Sequence, residues 1–227
     1  MRRSVRSPSG YSPAEVLRWP TARARDWTCR FLASAPANPN ILAVVAIGSA
    51  VRHNVPCADL DLVVICASTA CPGDTPPLEI DLRAYLAADV GAQIESGHDL
   101  LGWAIKFGGV LFQRGHYWDR VVNLWRHRLP LPSGALARDR AANASRRLVK
   151  VLEFGDADAA HEQAISYLTH LARAELLDRG VYPASRPELA PQLRAVGSCQ
   201  IAEWLDYFLR NDSIEMEQIG HVLKLSA

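Results

Sequence analysis

The sequence predicts an α+β protein, with a mixed β-sheet unit leading and an all-helical unit following. Three observations predict it. Before residue 90 the chain has three apolar stretches of strand length: Ile41–Ile47, Leu60–Cys66 and the alternating "LEIDLRAYL" at 78–86. Beyond residue 134 no strand pattern survives, and apolar residues recur at helical spacing. Between the two regions lies "PLPSG" at 130–134, the clearest linker in the chain. The expected boundaries are a first domain over 1–132, with its core at about 30–115, and a helical bundle over 133–227.

The elements follow in order. Ser12-Pro13-Ala14-Glu15 reads as a helix start, with an N-cap serine, proline at the first helical position and glutamate at the third. Pro20 interrupts it, and a second helix then places Ala24, Trp27, Phe31 and Leu32 on one face. "APANPN" at 35–40 is a turn. Ile41–Ile47 and Leu60–Cys66 are continuous apolar runs, suited to strands buried on both faces. "CPGDTPP" at 71–77 is a proline-rich loop. A helix over 99–107 should stop at Gly108-Gly109, followed by a strand at 110–114 and a helix at 118–129. In the second half Gly155 and Gly180 mark helix stops, and Ser185-x-x-Glu188 and Asp212-x-x-Glu215 mark starts.

Composition limits the function. The chain has 227 residues, 49% of them hydrophobic, and a net charge of +1, so no global field draws it to nucleic acid or an anionic membrane. Seven arginines fall in the first thirty residues against Glu15 and Asp26, a pattern read as a solvated tail and an amphipathic helix. The longest apolar run is too short to span a membrane, and no apolar stretch follows the basic N-terminus as a secretory signal requires. Five cysteines, with no Cys-x-x-Cys pair and no zinc spacing, suit reduced thiols and a cytoplasmic location.

The chemistry concentrates around the second strand. Side chains of a strand alternate faces, so Asp59 and Asp61 point one way and Leu60 and Leu62 the other. Two partly desolvated carboxylates side by side repel, and a hard divalent ion such as Mg²⁺ is the economical counter-charge. On the third strand Glu79, Asp81 and Arg83 are expected to share a face, so Asp81 or Glu79 can complete a three-carboxylate cluster. Such a cluster can hold two metal ions, as in-line displacement at phosphorus uses. Gly48-Ser49 follows the first strand directly. Glycine there lets the backbone approach a ligand, and if a helix follows, its free N–H groups and the serine hydroxyl form an anion site, with Arg52 within a turn.

Ile47-Gly48-Ser49, nine residues, then Asp59-Leu60-Asp61-Leu62, with "EIDLR" at 79–83 on a later strand, resembles the signature of the nucleotidyltransferase superfamily of the DNA polymerase β type. The resemblance covers about residues 30–115. The segment 170–193 is similar to the helical bundles of kanamycin-nucleotidyltransferase C-terminal or HEPN type that follow the domain in small prokaryotic members. It implies a Mg²⁺-dependent transfer of a nucleoside monophosphate from an NTP to an acceptor hydroxyl, releasing pyrophosphate. Asp59, Asp61 and Asp81 would be the catalytic metal ligands for two ions, and Gly48, Ser49 and Arg52 would hold the nucleotide. From the stripe Arg140, Asn143, Arg147 and Lys150 of a helix at 135–153, Arg147 and Lys150 are the candidate triphosphate contacts.

Two departures accompany the resemblance. The loop "AVRHNVPCA" at 50–58 has no glycine, and Ala58 stands where a serine often precedes the first aspartate. Arg120 and His127 fit the HEPN ribonuclease spacing only loosely and lie ahead of the bundle, so ribonuclease activity is not expected. Two other functions share the fold. One is a non-catalytic or regulatory module of toxin–antitoxin type, acting through a homodimer or a helical partner protein. The other is an aminoglycoside nucleotidyltransferase, with Glu153, Asp156 and Asp158 facing a polycationic substrate. The acceptor (small molecule, protein or RNA end) is open.

Overall fold

The computed structural model describes residues 16–52, 57–68, 75–211 and 214–226. The expected helix start at Ser12, His53 of the loop and Asp212 of the last helix start lie outside them. The chain divides into two compact units, Met1–Pro130 and Leu131–Ala227. Together they make an α+β protein: four strands in one sheet within the first unit and only helices described in the second.

In the first unit α1 (Ala22–Ser34) is opened by Thr21, whose hydroxyl accepts from the Ala24 amide at 3.0 Å. The strands are β1 (Ile41–Ile47), β2 (Leu60–Cys66), β3 (Ile80–Leu86) and β4 (Gly109–Gln113), in sheet order β3-β2-β1-β4. β1 is antiparallel to both β2 and β4, whereas β2 and β3 run parallel. Trp27, Phe31 and Leu32 of α1 cover one face of the sheet, against Val44, Ala46, Leu60, Leu62 and Val64. The other face packs Val45, Ile47, Val63 and Ile65 against α2 (Ala87–Glu95), α3 (Asp99–Phe107) and Trp118 of α4 (Tyr117–Trp125). Both central strands are therefore buried on both sides, which is why their sequences are continuous apolar runs.

Four details differ from the sequence expectation. β3 begins at Ile80 and not at Leu78, because the Ile80 amide turns back onto the Pro77 carbonyl at 3.0 Å and leaves Leu78 fully exposed. The unexpected α2 runs straight out of β3 with no side-chain cap and with Gly91 in its middle, so it carries neither usual start signal. β4 begins one residue early. Gly108 fits there because a Cβ would meet the Ala104 carbonyl oxygen at 2.5 Å and Val45 Cγ1 at 2.6 Å. α4 ends at Trp125, four residues short, where Arg128 folds back to donate to the Leu124 carbonyl at 2.9 Å.

The second unit consists of α5 (Gly134–Phe154), α6 (Ala157–Asp178), α7 (Arg186–Ala195), α8 (Cys199–Arg210) and α9 (Met216–His221). Ala137, Ala141, Ala144 and Leu148 of α5 are its buried residues, and Ala141, Ala144 and Leu148 share a core with Ala160, Ala164, Leu168, Ala172 and Leu176 of α6. Small side chains on both helices let the two axes approach closely. Gly155, with φ of 75°, closes α5, and Ser185 with Glu188 forms the capping box of α7. Among the described residues no helix is long and apolar enough to cross a membrane.

Candidate active site

The site is assembled at the end of the sheet where β1 finishes. Ile47 pairs with Asp61 across the antiparallel β1–β2 ladder, and Asp61 pairs with Asp81 across the parallel β2–β3 ladder. Adjacent strands lie about 4.8 Å apart, so Asp61 and Asp81 are nearest neighbours on one face of the sheet. Asp59 is two residues before Asp61 and precedes the first paired residue of β2.

Gly48 bounds the site on the β1 side. Its φ is 75°, and a Cβ built there would stand 2.5 Å from Asp61 Oδ2. The backbone thus comes so close to the carboxylate that only glycine fits, on steric and on conformational grounds alike. The segment after it, Gly48–Val51, is a single 3₁₀ turn and not an α-helix. The helix N-terminus that would have strengthened an anion site at Ser49 is therefore not formed. Four residues aligned in a 3₁₀ turn carry too little dipole to replace it.

Burial first, then the charges of Asp59 and Asp81, push the Asp61 carboxyl up to about 6, with Arg83 opposing them. Arg83 forks onto Asp81, with Nε 2.8 Å from Oδ1 and Nη2 3.0 Å from Oδ2. Among the described residues no three His, Cys, Asp or Glu side chains are grouped closely enough to ligate one ion. The donors nevertheless fit a hard divalent cation: carboxylate oxygens on one sheet face, one of them raised by burial and then by like charge, and pressed against bare backbone.

Glu79, the alternative third carboxylate, is employed elsewhere. It lies in the turn before β3, its Oε1 accepts from the Thr21 hydroxyl at 3.4 Å, and its Oε2 is buried without a partner. That places it beside the N-terminus of α1, where a negative charge is favoured. Asp81 is the carboxylate the register brings to Asp61.

The other predicted residues, and some further cations and tryptophans, are placed as follows. Arg52 follows the 3₁₀ turn, and its guanidinium lies 4.8 Å from the centre of the Phe107 ring. Arg147 and Lys150 are exposed on α5 in the second unit. Of the aminoglycoside candidates, Asp156 is the N-cap of α6, accepting from the Ala159 amide at 3.0 Å. Arg114 is structural, donating to the carbonyls of Ala35, Pro36, Asn38 and Ile41. Trp118 is buried, whereas Trp103 and Trp125 are half-buried.

Sequence reasoning overlooked Cys57. Its thiol lies 3.1 Å from the Asp59 carbonyl oxygen and bonds the Ser49 side chain, tying the 3₁₀ turn to the entrance of β2. Burial pushes this thiol up, against the pull of Ser49, and the Asp59 and Asp61 charges add to the rise, so it stays protonated at neutral pH.

No protein-family model matches the chain, and no curated protein matches it in sequence. Among solved structures, a nucleotidyltransferase-like protein from Exiguobacterium sibiricum 255-15 is 14% identical, with a TM-score of 0.38 over 89% of this chain and 73% of that one. A likeness this distant says nothing about the chemistry of the carboxylate site.

Proposed function

We propose that the protein is a Mg²⁺-dependent nucleotidyltransferase that moves a nucleoside monophosphate from an NTP to an acceptor hydroxyl and releases pyrophosphate. The observation that carries this reading is the register of β2 and β3, which sets Asp61 opposite Asp81 beside the glycine turn at Gly48. Asp59, Asp61 and Asp81 are the residues to hold divalent ions, and bound ions would neutralise phosphate charge and lower the pKa of the acceptor hydroxyl.

The chain's own part is positioning and charge placement rather than covalent chemistry. Gly48 leaves no side-chain atom between the backbone of the turn and the Asp61 carboxylate, so the two can stand in contact. Ser49, bonded to Cys57, is the hydroxyl proposed to contact a phosphate oxygen. Arg52 adds a cation on the same turn. Five cysteines with no Cys-x-x-Cys pair suit a reducing cytoplasm.

The deciding experiment incubates the full chain with Mg²⁺, each α-labelled NTP in turn and a cell lysate, and asks which molecule acquires label. Labelling should depend on Mg²⁺ and disappear in Asp59→Ala and Asp61→Ala. Transfer that survives both substitutions, or no labelled product with any NTP, refutes the proposal.

A further inference from the structure

Asp81 is spoken for. Its two carboxylate oxygens are taken by one guanidinium, that of Arg83, two residues along the same strand and on the same face. Both side chains are about half exposed, at 62% for Arg83 and 47% for Asp81, so the fork is held in water-like surroundings and is weak. Asp61, opposite Asp81, meanwhile carries the charge of both neighbouring aspartates with Arg83 as the opposing cation.

We propose that Arg83 is a positioning residue that acts through Asp81: it is the resident counter-ion of the carboxylate face and is exchanged for a divalent cation when the site loads. The inference rests on the metal-dependent function proposed above and specifies how the third carboxylate becomes available. A divalent ion carries twice the charge of a guanidinium and binds carboxylate oxygen directly, so it displaces an exposed fork readily. The fork in turn stops Asp81 and Asp61 from facing each other uncompensated before the ion arrives. Once released, the guanidinium stays on the same sheet face, where planar two-point binding of a phosphate is open to it.

The test measures Mn²⁺ binding by electron paramagnetic resonance on the full chain at low ionic strength, without nucleotide or turnover. Arg83→Gln should bind Mn²⁺ about fivefold more tightly than the natural chain. Arg83→Lys keeps the charge but cannot fork, and it should fall between the two. In an Asp81→Asn background the gain from Arg83→Gln should shrink to near one, because the residue it acts through is gone. No gain from Arg83→Gln, or an equal gain with and without Asp81, overturns the exchange. If Mn²⁺ binding is lost in Asp61→Asn while Arg83→Gln changes nothing, the exchange fails and the metal site stands. If neither the natural chain nor any variant binds Mn²⁺, both fail. Binding seen only after Arg83→Gln supports the exchange, with the fork then the dominant barrier to loading.

Discussion

The helical unit and the end of the sheet handle charge in opposite ways. In the helical unit acids meet bases: Arg138 pairs with Asp178 at 2.5 Å, Arg179 with Glu175 at 3.0 Å, and Asp206 lies between Arg194 and Arg210. Its helix ends are closed by ordinary caps, Ser133, Asp156 and the Ser185–Glu188 box. At the end of the sheet, acids meet acids. Asp59, Asp61 and Asp81 crowd one face with Arg83 as their counter-charge, and the left-handed backbone of Gly48 presses against Asp61. A fold tolerates such local conflict where the surrounding packing imposes it, and conflicts of this kind mark functional sites rather than stability. The contrast supports the proposal that the sheet end, rather than the helical unit, carries the chemistry.

The largest effect should come from the well-packed side of that comparison. Leu168 of α6 is fully buried in the alanine-rich core, and Leu168→Ala should cost about 2–5 kcal/mol in urea denaturation. A cost under about 1 kcal/mol would mean that the helical core is loosely packed and the contrast is false. Gly48→Ala comes next, because it adds left-handed strain of about 1–3 kcal/mol and drives a Cβ into Asp61 Oδ2. Mn²⁺ affinity should fall with it by about tenfold. Gly155→Ala is the matched control: its φ is also 75°, yet nothing lies within 4 Å of its Cβ position. It should show the backbone strain alone and leave Mn²⁺ binding as it was.

Asp61→Asn should stabilise the metal-free protein at pH 7 while removing transfer activity. The sign follows from a folded-state pKa raised from 3.8 to about 6. Above about 6 the folded state bears an ionised carboxylate against burial and two like charges, so the penalty is complete. Below about 4 the group is protonated in both states and the penalty is gone. The melting temperature of Asp61→Asn should exceed that of the natural chain by roughly 2–4 °C at pH 7, and the gap should close between pH 6 and pH 4. A gap that is constant with pH would show that Asp61 is not under this strain. The smallest effect belongs to Arg138→Gln. The Arg138–Asp178 pair is half exposed, so its loss should cost less than about 1 kcal/mol in the same denaturation assay.

Much of the sheet end was legible in the chain because its signals are local. β1 and β2 occupy the predicted ranges, since a run of β-branched and apolar residues between turn signals has few alternatives. The third strand was legible as an element but misplaced at its start, because a turn closed by the Ile80 amide is invisible to an alternating pattern. α2 was missed for want of a cap. The choice between Glu79 and Asp81 stayed open in the sequence because two-residue spacing puts both on one nominal face. Thr21, fifty-eight residues away, draws Glu79 toward the α1 terminus. The anion cradle at Ser49 was over-read: glycine followed by serine announces a turn, but not whether a helix continues from it.

By itself the sequence determined that this is an α+β chain with two aspartates on one face at the mouth of a buried strand. Both properties follow from periods of 2 and 3.6 residues, which are set by covalent geometry and written into every short window. Only the tertiary structure decided that β3 lies parallel to β2 in the register that opposes Asp61 and Asp81. Only it decided that Gly48 abuts Asp61 and that Arg83 is spent on Asp81. Those are pairings between distant segments, selected by how two packed faces of the sheet are filled at once, and a shift of one residue would have turned the carboxylates to the other face.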